Sequence, residues 1–143
     1  MFRITNWVLT IISAVFEVIA IGFIVELFNS HCVRGGEYGV SIWFYIFFLP
    51  VITVHTIFLA IYRIFCGTVG LDPISIIFNL TSGIILVIAT IIVLVAMVSH
   101  CGNEYAKFFY LAAVFGLLSG LMHLCNGIMC LVYLPKSEFY LTW

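Results

Sequence analysis

This sequence predicts an all-α fold, an integral membrane four-helix bundle, on three observations. After Asp72 no charged side chain appears until Glu104, and a helix needs only about 20 apolar residues to cross a hydrocarbon core of roughly 30 Å. The composition is 65% hydrophobic and 8% charged, with a mean hydropathy of +1.30, whereas soluble domains carry about 25% charged residues. Two apolar stretches of similar length precede this run and one follows it, with only short connections between them. Residues 1–143 therefore form a single membrane domain.

The first helix is expected at about 6–28. Met1-Phe2-Arg3 followed by an apolar run imitates a signal peptide, but the run continues to Phe28, holds Glu17 at its middle and lacks a small-x-small cleavage site, so a retained helix is expected. The second helix, at about 40–65, contains Pro50, which membrane helices tolerate and which predicts a kink. The third, at about 73–98, opens on Asp72-Pro73, and the fourth covers about 108–134. Trp7, Trp43, Tyr38, Tyr45, Tyr105, Tyr133 and Tyr140 fall mostly near the ends of these spans, where interfacial aromatics belong. An even number of spans places both termini on one side. Arg3, Arg63 and Lys136 lie on that side and Arg34 and Lys107 on the other, a bias that favours cytosolic termini. The net charge of −1 is scattered over loops and helix ends, which leaves no basic patch for nucleic acid.

The chain also echoes itself. Ser30-His31-Cys32 before Glu37-Tyr38 returns as Ser99-His100-Cys101 before Glu104-Tyr105, and Val18-Ile19-Ala20 returns as Val87-Ile88-Ala89. A parallel repeat of two hairpins accounts for this, as does chance similarity between apolar helices.

In lipid, helices meet where small and polar residues recur at helical spacing. Such stripes run through Asn6, Thr10, Ser13, Glu17 and Ala20 in the first helix, and through Asp72, Ser75, Asn79, Ser82 and Ala89 in the third. A further stripe in the fourth joins Ala112, Gly116, Ser119, His123, Asn126 and Cys130, with Gly116 and Gly120 forming a small-xxx-small pair. The stripes are expected to build the bundle; a polar ligand path would use the same residues. Glu17 is the sharpest chemical feature, because a carboxyl group near the midplane must pair or take up a proton. One expectation is a hydrogen bond to Asn79, His123 or Asn126; the other is a proton or cation carrier. Under the repeat His55 and His123 fall at similar depth, and two histidines with a carboxylate are the parts of a proton relay.

No Cys-x-x-C pair is present, which removes the simplest signature of a thiol oxidoreductase. With cytosolic termini Cys32 and Cys101 lie on the oxidising face, where a disulfide would tie the hairpins together. A zinc site built from His31, Cys32, His100 and Cys101 has suitable ligands, but adjacent side chains rarely converge on one ion. Cys66 is a candidate for S-acylation at the cytosolic end of the second helix. No glycine-rich phosphate loop or nucleophile-base arrangement is visible, so neither a cofactor nor a catalytic residue is expected.

Leu71-Asp72 opening the third helix, Ser82-Gly83 and Leu86-Val87-Ile88-Ala89 within it, and Ala112-Ala113-Val114-Phe115-Gly116-Leu117-Leu118 in the fourth resemble the MARVEL family of four-span proteins. That family includes the MAL, plasmolipin, chemokine-like-factor and physin/gyrin branches. The resemblance covers the last half of the chain. It implies a non-enzymatic protein that organises membrane, through sterol- and sphingolipid-rich domains, vesicle trafficking, membrane apposition or cell junctions. Its implied partners are membrane lipids, other membrane proteins and further copies of itself, at the plasma membrane or on trafficking vesicles. The alternative is a small proton-coupled transporter with Glu17 as its carrier, similar to the small multidrug-resistance proteins in having four spans and a carboxylate in the first.

Overall fold

The computed structural model describes residues 2–29, 39–66, 72–100 and 106–133, with side chains described over 4–27, 42–65, 73–96 and 106–133. These residues form four helices: α1 Phe2–Asn29, α2 Gly39–Cys66, α3 Asp72–His100 and α4 Ala106–Tyr133. Each contains an apolar segment long enough to cross a bilayer: Ile4–Leu27, Ile42–Phe65, Pro73–Ala96 and Ala106–Tyr133. The helices begin one to four residues before the expected starts. Pro73 sits at the start of α3, where a missing N–H leaves no bond unmade. Pro50 faces outward and α2 remains one helix across it.

Each helix packs on its neighbours in chain order, and α4 closes the ring against α1. Asn6 meets Asn126, Glu17 meets His123 and the ring of Phe23 lies against that of Phe108, so α1 and α4 run antiparallel. The same holds for α3 and α4, where Leu80 faces Gly127 and Val87 faces Gly120. The start of α1 and the end of α4 thus share one end of the bundle. Packing is closest along α3–α4 and α1–α4 and looser around α2, so the internal echo is not carried into a two-fold arrangement of contacts. The reason is side-chain size. On α4 the missing Cβ atoms of Gly120 and Gly127 admit the backbone and side chains of α3, where an added carbon would lie 3.2 Å from the amide nitrogens of Val87 and Leu80.

The core has two halves. Toward the end where α1 begins, it is polar: Asn6, Thr10, Ser13, Glu17, Ser75, Asn79, Ser82, Ser119, His123 and Asn126 are all buried. Toward the other end Ala20, Leu27, Leu49, Leu86, Ala89, Val93, Phe109 and Ala113 form one apolar cluster. Bulky apolar side chains cover the outside of every helix, among them Val15, Phe47, Phe58, Ile84 and Leu121. This inverts the soluble pattern, as a lipid solvent requires. Glu26 and Lys107 are exposed near span ends, with the Lys107 ammonium 5.2 Å from the centre of the Phe108 ring.

Gly116 and Gly120 do not serve one contact. Gly116 makes room for Tyr45 of α2, whose hydroxyl donates to the Ala112 carbonyl at 2.7 Å. An added Cβ at Gly116 would fall 2.0 Å from that hydroxyl. Gly116→Ala is therefore expected to destabilise the bundle by about 1–3 kcal/mol, read as earlier unfolding in a detergent titration, and Tyr45→Phe in the same chain should recover part of the loss. Gly22→Ala should be silent in that assay, since open space surrounds Gly22.

Candidate functional site

Halfway along the bundle the polar stripes converge on Glu17 and His123, whose side chains are both 0% exposed. The Oε1 atom of Glu17 lies 2.7 Å from His123 Nε2 and accepts a hydrogen bond from the Ser119 hydroxyl at 2.8 Å. On the far side of the imidazole, Nδ1 lies 2.7 Å from Asn79 Oδ1. From α2 the Thr56 hydroxyl donates to its own helix at Ile52 O, 2.8 Å away. It stands 3.5 Å from Oε1 and 3.4 Å from Nε2, too far for a strong bond but close enough to cover the pair. All four helices thus meet at one carboxyl-imidazole contact.

The hydrogen bonds assign one proton outright. The Asn79 amide donates through Nδ2 to the Ser75 carbonyl at 2.7 Å and to the Ser75 hydroxyl at 3.1 Å. A carbonyl can only accept, so the amide oxygen is the atom turned to His123. His123 Nδ1 must then carry a hydrogen. One proton remains for the 2.7 Å gap between Nε2 and Oε1, and the pair is neutral overall whether that proton sits on nitrogen or on oxygen. This is the condition that makes two ionisable groups tolerable at this depth. Glu17 Oε2 is buried and has no hydrogen-bond partner.

A second polar layer lies toward the start of α1. The Asn6 amide donates to Asn126 Oδ1 and to Cys130 Sγ, the latter at 2.7 Å. Asn126 in turn donates to the Asn6 carbonyl at 3.3 Å and to Thr10 Oγ1 at 3.2 Å. Trp7 anchors this end to α2 through an indole bond to the Ala60 carbonyl at 3.1 Å.

Of the residues singled out from sequence, Glu17, Asn79 and His123 come together directly, and Asn126 belongs to the second layer. His55 does not join them. It is exposed on the outside of α2, with Nδ1 3.2 Å from the Val51 carbonyl, and its ring stacks on Phe78, which stands edge-on between it and His123. A relay through both histidines is therefore interrupted by a phenyl ring. Thr56 is the member that the sequence did not single out, being one hydroxyl among many, whereas Ser119 belongs to the stripe expected on α4. Spacing offered a signal for Ser119, which lies four residues before His123, but none for Thr56, whose line with Tyr45, Leu49, Ile52 and Ala60 is as apolar as the rest of α2. Cys32 and Cys101 lie outside the described residues, as does the side chain of Cys66. Among the described residues no group of three His, Cys, Asp or Glu side chains could hold a metal ion.

If the pair joins helices rather than merely filling space, removing either partner costs nearly as much as removing both. Glu17→Ala and His123→Ala are expected to be non-additive by about 1–2 kcal/mol in a double-mutant cycle of detergent unfolding; additive losses would mean that the two side chains do not interact. Compared with protein-family models, curated proteins and solved structures, the chain matches none.

Proposed function

We propose that this four-span protein is a non-enzymatic organiser of membrane. Its stable bundle would present an apolar exterior to lipid and to neighbouring membrane proteins, with cytosolic termini. The observation that carries this reading is the direction of the polar groups: Asn6, Thr10, Ser13, Glu17, Asn79, His123 and Asn126 are turned inward and buried, and the midplane carboxyl is held by His123 and Ser119. The hydrogen bonds that join Glu17 to His123 and Ser119, and Asn126 to Asn6 and Thr10, tie α1 to α4. A cavity between Ile24, Leu27, Tyr45, Val93 and Phe109 has a volume of only about 10 Å³ and an apolar lining, space for no more than about one water. The resemblance to MARVEL proteins supports the same role, as does the short length of the connections.

One observation favours the second reading, a proton-coupled carrier: Glu17 Oε2 is buried without a partner. Glu17→Gln separates the two. A glutamine amide nitrogen in the place of Oε1 has two hydrogens, one to donate to His123 Nε2 and one to the Ser119 hydroxyl oxygen, so an organiser should keep its localisation and lose at most about 1 kcal/mol of stability. A carrier should lose proton-coupled flux in reconstituted vesicles altogether. Quantitative imaging of the variant in cells, alongside a pH-gradient flux assay, reads both.

A further inference from the structure

Three buried oxygens on α1 have no hydrogen-bond partner: Asn6 Oδ1, Ser13 Oγ and Glu17 Oε2. Their side chains are 1%, 1% and 0% exposed. At a helical turn of about 100° per residue they lie within about 40° of arc, and at a rise of about 1.5 Å per residue they are spaced roughly 10 and 6 Å along the axis. The line runs from the first turns of α1 to the carboxyl-imidazole pair and faces α4, whose Ser119, His123, Asn126 and Cys130 form the opposite wall. Thr10 stands between Asn6 and Ser13 with its hydroxyl bonded to the Asn6 carbonyl at 2.9 Å.

We infer that the α1–α4 seam is a one-sided water path, admitting water, and through it protons, from the face where α1 begins and α4 ends as far as Glu17. An orphaned oxygen inside a low-dielectric core keeps the full penalty of its lost hydration, and a water molecule supplies the donors that all three lack. At membrane depth, polar groups away from lipid are tolerated where they are buried in protein or line a water-filled cavity. Beyond Glu17 the path ends. The next turn of α1 presents Ala20, followed by Ile24 and Leu27, packed with Leu86, Ala89, Val93, Phe109 and Ala113. Of the buried hydroxyls in that half, Tyr45 donates to Ala112 O, and Thr90 lies beside the Tyr45 hydroxyl. The titratable groups along the seam are Cys130, His123 and Glu17. Water access does not depend on the organising role, which requires the pair only as a fastening.

Cysteine reactivity tests this in the full chain reconstituted into lipid vesicles, with all native cysteines but the one probed replaced by serine. A buried thiol in a dry site is inert, because the thiolate is the nucleophile and forms only where water reaches it. The probe is methanethiosulfonate ethyltrimethylammonium, whose permanent charge keeps it from crossing the bilayer, added to one face at a time, with Arg3→Cys marking the face at which α1 begins. Ser13→Cys should react at least about tenfold faster than Ala20→Cys, and only from the marked face. The native Cys130, retained alone, should behave like Ser13→Cys and needs no substitution within the seam itself. Inert thiols at both Ser13→Cys and Cys130 would mean a dry, packed seam and overturn the inference. Reaction from the opposite face, or equal rates at Ser13→Cys and Ala20→Cys, would overturn its one-sidedness.

Discussion

The hydrogen bond between Glu17 and His123 constrains all four helices at one level, because each helix supplies a group that the pair touches or needs. In water this contact would be worth little. In hydrocarbon its absence would leave a carboxyl group and an imidazole without partners, and that cost fixes the rotation of α1 and α4 about their axes. Once those rotations are set, Asn79 must face the imidazole from α3 and Thr56 must cover it from α2. The Asn79 amide is itself held by Ser75 one turn earlier, so the orientation of the imidazole is built into α3 by local bonding.

Shape then decides how closely each helix can follow. Along α4, Gly120 and Gly127 bring the α3 backbone into near contact, while α2 turns the half-buried rings of Phe44 and Phe48 toward the core and stands further off. Tyr45 is the exception on α2. Its ring reaches across to α4 because Gly116 leaves space for the hydroxyl, and the bond to Ala112 gives α2 a directed contact in the apolar half. The polar half is held by hydrogen bonds and the apolar half by packed side chains. An asymmetric core of this kind gives the two faces of the membrane different access to the same carboxyl group.

Much of this arrangement was legible in the sequence. The stripes on α1, α3 and α4 stood out because a polar or small residue in an apolar helix is conspicuous, and the residues of those stripes with described side chains are the ones that face inward. The face of α2 was not legible. Its buried line of Tyr45, Leu49, Ile52, Thr56 and Ala60 is no more polar than its exposed side, so periodicity carried no signal. His55 drew attention by its chemistry, yet the chain turns about 100° between consecutive helical residues, and it is Thr56 that points inward. The glycine pair misled for a related reason. Gly116 and Gly120 are one turn apart on the same strip, but they face different helices, a distinction that depends on where α2 stands and not on spacing.

A carboxyl group meets an imidazole at mid-depth in the bundle, and solid-state NMR of ¹³C,¹⁵N-labelled protein in bilayers observes that contact directly. A through-space correlation between the Glu17 carboxyl carbon and His123 Nε2, with Nδ1 protonated and close to the Asn79 side chain, is the predicted result. A Glu17 carboxyl carbon that correlates with lipid but not with His123, or a His123 whose Nδ1 carries no proton, would contradict it.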